Sequence, residues 1–324
     1  MKNIIILSAE IDQHVHPVVE QIKLMGGCPV ILDIKENGEK FSVVVDSGGI
    51  NIVNGNKDTM SFEDVSSIWY RRPVFKSGGD DVSVPWQKEF AEGEERETWD
   101  GIWLSLREKV FFLNHPFLNR VAGNKIFQLN FARNMGFQIP NFLVTNSPND
   151  VAAFVEKHKR VIYKVLHQPK KKGKTIDDFH VFFTNIVEEK HLQDLSQITI
   201  APCLFQEYIE KVYEVRVTVV GDQIFAEKIF SQNSSVTEID WRRDPTLLRH
   251  EIETLPKDIS DKCLGLVKNL GLSFGAIDLI FNKKLGYIFL EINPNGQWLW
   301  IERILGLPIS KSIASVLVKG HRSS

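Results

Sequence analysis

Two apolar runs near the C-terminal end, Phe274 to Phe281 and Tyr287 to Asn293, constrain the fold more than any other stretch. A turn segment, Lys283-Lys284-Leu285-Gly286, separates them, so they read as two strands of an antiparallel hairpin. Asp278 stands in the first strand among apolar neighbours, where an unpaired carboxylate is costly. If the loop takes 283–286, then Asn282 faces Tyr287, and counting back sets Asp278 opposite Glu291. Asn293 follows two residues on, on the same face. Two like charges directly opposite destabilise a sheet, whereas two carboxylates and an amide oxygen make a hard-oxygen site suited to Mg²⁺ with nucleotide phosphates. The plainer alternative pairs Asp278 with a lysine. A one-residue change of loop register would undo the arrangement.

The charge balance narrows the classes of partner. With 39 Lys+Arg against 41 Asp+Glu the formal charge is −2, which gives no general basic footprint for nucleic acid or a membrane surface. The sum hides two segments: 157–174 holds eight Lys and Arg and no acid, whereas 89–100 holds six acids and one base, Arg96. Behind the acidic segment, Trp99, Ile102, Trp103 and Leu106 recur at helical spacing, so it reads as the wet, dipole-favoured start of a helix. Three widely separated cysteines, Cys28, Cys203 and Cys263, exclude a disulfide framework and a CxxC metal site and fit a reducing compartment. No apolar run reaches the length of a membrane span or a signal h-region, so a cytoplasmic location is expected.

At 324 residues the chain exceeds what one core conveniently covers, and three segments are expected. Residues 1–115 begin with a βαβ pattern: strand Ile4 to Leu7, a helix carrying Val15, Val18, Val19 and Ile22 and stopped at Gly26-Gly27, then strand Pro29 to Asp33. This implies a small parallel sheet, without the GxGxxG turn of dinucleotide binders. A hairpin over Phe41 to Val45 and Ile50 to Val53 and a strand at Ser67 to Tyr70 follow. Residues 116–200 contain a helix at Gly123 to Asn134, strands at Phe142 to Thr145, Arg160 to Leu166 and near His180 to Thr184, and a helix opened by Ser147-Pro148. Residues 201–324 are rich in β-hairpins and close on a helix, Ile309 to Val318.

Two further elements carry charge where structure alone does not ask for it. Arg216 lies inside Tyr213 to Val220, which Gly221-Asp222 turns into Gln223 to Phe230 as a two-residue hairpin. Its counter-charge is either a phosphate or Glu227, opposite in that register. Lys164 stands in the otherwise apolar Val161 to Leu166, followed by Lys170, Lys171, Lys172, Gly173 and Lys174 in a polar loop. Alone such a run is a solvated surface; beside a metal site it reads as a phosphate clamp. No GxxxxGK[ST] loop is present.

The ordered set formed by Lys125 in the helix ending at Met135-Gly136, Lys164, Gln206-Glu207-Tyr208-Ile209, Glu214-Val215-Arg216, Asp278 and Glu291-Ile292-Asn293-Pro294-Asn295-Gly296 resembles the ATP-grasp superfamily over roughly 115–320. Within it, Trp69 to Pro73, Glu238 to Arg242 and Asn293 to Trp298 resemble the microviridin-type maturases, which macrocyclise ribosomal peptides through side-chain esters or amides. The resemblance implies an α/β fold with α+β lobes: an N-terminal parallel-sheet domain, a central lobe and a C-terminal antiparallel lobe. It implies that Lys125, Lys164 and Lys172 hold ATP phosphates, that Glu207, Tyr208 and Ile209 line the adenine site, and that Glu214 binds the ribose. Asp278, Glu291 and Asn293 would hold Mg²⁺, as two ions, and Arg216 would stabilise the transferred phosphoryl group. One departure is visible: the loop 170–174 has a single glycine where the family has a glycine-rich loop.

The implied reaction activates an Asp or Glu side chain of a leader-plus-core precursor peptide as an acyl phosphate, which a Ser or Thr hydroxyl or a Lys amine then attacks. Arg71, Arg72, Asp240, Arg242, Arg243 and Gln297 are candidates for contacting the peptide, although Arg71 and Arg72 equally suit pairing with nearby acids at the strand end. Trp298 and Trp300 read as core residues. A homodimer is implied, with neither nucleic acid nor membrane as partner. Two other readings share these residues: a glutamate or amino-acid ligase, and a non-catalytic ATP-binding module. The combined presence of Arg216, Asp278, Glu291 and Asn293 argues against the module, because binding alone needs fewer contacts to the transition state.

Overall fold

Strand β1 (Asn3–Ser8) lies at the centre of the first sheet because it is apolar on both faces, as a parallel strand covered on two sides must be. The computed structural model, which describes residues 2–9, 11–75, 84–167 and 183–320, pairs β1 in parallel with β2 (Cys28–Leu32) and β6 (Val65–Arg72). The expected βαβ opening therefore holds, through helix α1 (Val15–Leu24). Gly26 ends that helix at φ 79°, a conformation open to glycine, and its N–H donates to the Lys23 carbonyl at 2.9 Å. Strands β3 (Phe41–Asp46), β4 (Gly49–Asn54) and β5 (Thr59–Ser61) form a separate antiparallel sheet, and β7 (Phe111–Leu113) completes the parallel one in the order β2-β1-β6-β7.

Helix α2 (Pro85–Leu106) buries Trp99, Ile102, Trp103 and Leu106, with the two indoles stacked 5.0 Å apart. It begins before the acidic segment, so 89–100 runs through its middle and the first turn holds no acid. The dipole explanation for that segment is thereby corrected: the helix starts at a proline, which is pre-set for the first turn.

Helix α3 (Pro116–Ala122) and helix α4 (Lys125–Asn134) replace the single helix expected at 123–134, with Asn124 capping α4 through its side chain at 3.0 Å to the Phe127 N–H. Strand β8 (Phe142–Thr145), helix α5 (Pro148–His158), β9 (Val161–Lys164), β10 (Asn185–Ile186) and helix α6 (Glu189–Leu192) follow. Ser147 caps α5 as expected, its hydroxyl accepting from the Asp150 N–H at 3.3 Å. The strand expected near 180–184 falls mostly within 168–182, which lie outside the described residues; β10 follows it at 185–186. Strand β11 (Cys203–Glu207) pairs with both β8 and β9 in the sheet order β10-β9-β11-β8, although it follows the expected boundary at 200.

The largest sheet is antiparallel, ordered β14-β13-β12-β15-β16: β12 (Tyr213–Val220), β13 (Gln223–Ile229), β14 (His250–Ile252), β15 (Phe274–Asn282) and β16 (Gly286–Asn293). Helix α7 (Lys257–Asn269) and α4 cover one face, joining Leu129, Val215, Val217, Leu266, Ile277 and Phe289 in one core. Helix α8 (Leu299–Leu305) and helix α9 (Ile309–Lys319) return to the N-terminal sheet, where Ile313 and Leu317 join Ile4, Val18 and Trp69 in a second core. Two ends of the chain thus share one hydrophobic layer. The opposite face of the large sheet, covered by α8 and α9 at the Val220 and Phe274 end, is where charge collects.

Candidate functional site

Register places the charges in a single row. Glu227 on β13 pairs with Arg216 on β12, Arg216 with Asp278 on β15, and Asp278 with Glu291 on β16. The expected Asp278–Glu291 pairing is reached by a different route from the one read in the sequence. Asn282 pairs with Gly286, so the loop is only Lys283-Lys284-Leu285, and a bulge that adds Leu290 to β16 restores the register. Gly286 closes that turn at φ 74°. Bulges re-aim side chains beside active sites, and Leu290 itself lines the cleft.

The cleft has a volume of about 610 Å³ and is bounded by the middle sheet on one side and the large sheet on the other. Beside it Lys125, the first residue of α4, lies 3.0 Å from Glu291 Oε2. A small adjoining pocket gathers Lys125, Lys164, Arg242 and Glu291. Burial opposes ionisation of Glu291, but the Lys125 and Lys164 ammonium groups outweigh it and hold the carboxyl below its usual range. Asp278 goes the other way. Burial pushes it up, the Arg216 guanidinium opposes this at 2.8 Å, and the facing Glu291 adds to the rise. Burial beside Lys125, Lys211 and Arg242 pushes Lys164 down to about 8. Arg216 thus finds its counter-charge in Asp278 rather than in Glu227, which stands 2.8 Å from His250 instead.

Asn293 lies on the exposed rim of the same face and its Oδ1 accepts from the Asn295 N–H at 3.0 Å. Asp278, Glu291 and Asn293 line one cleft in the register expected from the sequence, and a donor set of two carboxylates and an amide oxygen would suit a divalent cation. Among the described residues no cluster of three His, Cys, Asp or Glu side chains is placed to hold a metal ion.

Glu207, Tyr208 and Ile209 line the opposite wall. The Glu207 amide donates to the Asn141 carbonyl and that of Tyr208 to the Arg160 carbonyl, both at 2.9 Å, while the Glu207 carboxylate accepts from Asn141 Nδ2 at 2.7 Å. Glu214 is buried and paired with Lys211 at 2.8 Å. The sequence reading missed Lys211, for which the only signal was its position three residues before Glu214.

The peptide candidates separate into two groups. Arg242, Arg72 and Gln297 line the cleft. Asp240 is buried and grips Arg242 with both oxygens, at 2.8 and 2.6 Å, while accepting from the Thr184 N–H at 3.0 Å. It positions the arginine and has little capacity left for a ligand. Arg243 turns away, donating to the Thr184 carbonyl and to Asn185 Oδ1. Arg71 is 1% exposed; it pairs with Asp12 at 3.2 Å and donates to the carbonyls of Asn295 and Gly296. Trp298 is core, whereas Trp300 faces the cleft with Trp241, a residue not singled out from sequence. Lys172, with the rest of 170–174, lies outside the described residues.

Sequence comparison matches the RimK-like ATP-grasp domain over residues 122–317. The chain belongs to the RimK-like ATP-grasp family. Solved relatives narrow the branch. A Chryseobacterium gregarium RiPP-associated ATP-grasp ligase, in complex with ADP and a leader and core peptide, is 31% identical over 99% of this chain and 98% of its own, with a TM-score of 0.88. The macrocyclase MdnC of Microcystis aeruginosa, bound with precursor peptide MdnA, is 32% identical over 98% and 100%, with a TM-score of 0.87. The macrocyclase MdnB of the same organism is 29% identical over 98% and 99%, with a TM-score of 0.81. No curated protein matches. The ATP-grasp fold, with its parallel and antiparallel sheets, and its ligase class are thereby established for this chain. No helix among the described residues is long and apolar enough to cross a membrane.

Proposed function

We propose that this ATP-grasp ligase uses ATP and Mg²⁺ to join side chains within a ribosomally made precursor peptide. The observation that carries the reading is the row Arg216–Asp278–Glu291 facing a cleft, beside which a small pocket gathers Lys125, Lys164 and Arg242. A carboxylate is a poor electrophile, and that constellation suits its phosphorylation. Two relatives at 31% and 32% identity bound to peptides support a peptide as substrate.

In this reading Lys125 and Lys164 neutralise the ATP phosphates, Glu214 with Lys211 meets the ribose, and the Glu207–Ile209 segment meets adenine. Because the Glu207 and Tyr208 amides are already engaged, the Ile209 N–H is the donor that the adenine edge would use. Asp278, Glu291 and Asn293 would hold Mg²⁺, expected as two ions, which draws charge from the phosphate oxygens when bound. An Asp or Glu carboxylate of the peptide attacks the γ-phosphorus, and the bond to ADP breaks. Arg216 stabilises the transferring group and then the oxyanion formed when a Ser or Thr hydroxyl, or a Lys amine, attacks the acyl phosphate. Release of phosphate leaves an ester or amide. Holding both ends of one peptide in the cleft replaces a bimolecular encounter. Arg72, Arg242 and Gln297, at the cleft wall, would orient the peptide, and a homodimer is the assembly to test by light scattering.

ADP release from ATP and Mg²⁺ tests the reading: it should depend on a leader-plus-core precursor peptide. Release stimulated by free glutamate and indifferent to the peptide would favour an amino-acid ligase. No release with either would favour a binding module.

A further inference from the structure

One titratable pair in the cleft has no part in the nucleotide chemistry. Glu227 is fully buried, and its Oε1 lies 2.8 Å from Nδ1 of His250, the first residue of β14. Burial pushes this carboxyl up, against the pull of His250 and Arg216, so the pair is expensive to maintain unless it serves something. Its place in the row is informative. Lys125 and Lys164 occupy the Glu291 end, and Arg216 stands between Asp278 and Glu227. With strands about 4.8 Å apart, Glu227 lies about 10 Å from Asp278, on the far side of Arg216 from the phosphates. His250 lines the cleft there. Its ring is 5.3 Å from Trp300, which is 5.4 Å from Trp241, and the Arg216 guanidinium carbon lies 5.8 Å from the Trp241 ring.

We propose that His250, held by Glu227, is the general base of the second half-reaction, taking the proton of the hydroxyl that attacks the acyl phosphate above Arg216. This rests on the crosslinking function proposed above. Nδ1 lies 2.8 Å from the Glu227 carboxylate, and in the tautomer protonated at Nδ1, which that carboxylate favours, Nε2 carries the lone pair. Nε2 accepts the hydroxyl proton as the oxygen forms its bond to the activated carbonyl carbon. Collapse of the tetrahedral species breaks the bond from that carbon to the phosphate oxygen, and the electron pair leaves with inorganic phosphate. Glu227 stabilises the imidazolium, which returns its proton to the phosphate or to solvent. A hydroxyl is a weak nucleophile without such help, and a positioned base contributes about 10²–10⁴-fold.

Hydroxylamine separates the two half-reactions, because it attacks an acyl phosphate as a neutral amine and needs no base. The probe is a synthetic leader-plus-core precursor peptide with Asp, Glu, Ser and Thr in its core, with ATP and Mg²⁺, with and without hydroxylamine. His250→Gln should form hydroxamate at the wild-type rate yet form ester at least about 10²-fold more slowly. Glu227→Gln, which retains a hydrogen-bond acceptor but not the charge, should show a smaller loss in the ester step alone. Parallel loss of hydroxamate and ester in His250→Gln would assign the pair to bracing β13 on β14, and ester formation at the wild-type rate would remove His250 from the reaction. Either result overturns the proposal. Wild-type protein that forms neither product would sink the crosslinking function itself, and the assignment of His250 with it.

Discussion

Gly296 sits where the loop after β16 passes over β15, and replacing it by alanine tests how the loop and the site are joined. A Cβ at this position would lie 2.3 Å from the Ala276 Cβ, 3.3 Å from the Asn293 carbonyl oxygen and 3.4 Å from Arg216 Nη1. Carbon atoms rest at about 3.5–4.0 Å, so the backbones must part by about 1.2 Å or more. Ala276 is fully buried in β15 and cannot retreat. The loop must move, yet Arg71 pins it through the carbonyls of Asn295 and Gly296, at 2.9 and 3.2 Å. Overpacking of this kind costs about 1–3 kcal/mol, which lowers the melting midpoint by about 2–4 °C per kcal/mol. A displacement near 1 Å of Asn293 and Arg216 should lower turnover about 10²-fold. Peptide-dependent ADP release and a thermal melt on G296A read both effects. Ala276→Gly in the same chain removes the carbon that is struck and should restore most of the turnover. Wild-type turnover in G296A, or a loss that Ala276→Gly fails to relieve, would refute the packing argument.

Other perturbations follow from the same geometry. Because burial pushes Lys164 down to about 8, ADP affinity measured by calorimetry should fall as the pH rises through that value and the ammonium neutralises. Lys164→Arg keeps its charge and should flatten the dependence; affinity indifferent to pH in the wild type would contradict the phosphate role. Arg71→Ala leaves Asp12 without its buried cation and the Gly296 carbonyl without its donor, while the Asn295 carbonyl keeps Arg72, so a denaturation midpoint should report a loss of about 3 kcal/mol or more. Burial opposes ionisation of Asp12, but His14 and Arg71 hold its carboxyl well below the unfolded value of 3.8. Its contribution to stability is therefore present above that value and is lost as the pH falls further. The same variant should blunt that acid limb, and an unchanged limb would argue against the pair. Asp278→Ala or Glu291→Ala should abolish turnover while circular dichroism shows the fold retained, and full activity in either would refute the metal assignment.

Much of this site is legible in the sequence because charge inside an apolar strand has few explanations. Asp278, Glu291 and Arg216 announce themselves in this way, and hairpin counting brings them together. The count reached the right pairing by a cancellation: the loop is one residue shorter than its turn residues suggest, and the bulge at Leu290 compensates. Bulges leave no local signature, since a single unpaired residue looks like any other in a strand. Lys211, Trp241 and His250 were missed because they stand at loop or strand ends, where polar and aromatic residues are commonplace. Arg71 and Asp240 were legible as charged residues near the site but not in their roles. Their partners, Asp12 and Thr184, lie 59 and 56 residues away in sequence, and only the tertiary fold brings them within reach. The acidic helix segment shows the opposite limit: composition located it, but the helix start depended on Pro85 rather than on the charges.

The mass of the precursor peptide after incubation with the protein, ATP and Mg²⁺ tests the central claim most directly. Crosslinking removes one water for each bond formed, so the peptide should lose an integral number of water masses as ADP accumulates, and tandem fragmentation should show Asp or Glu joined to Ser, Thr or Lys. A peptide that gains glutamate residues, or keeps its mass while ATP is consumed, would contradict the account.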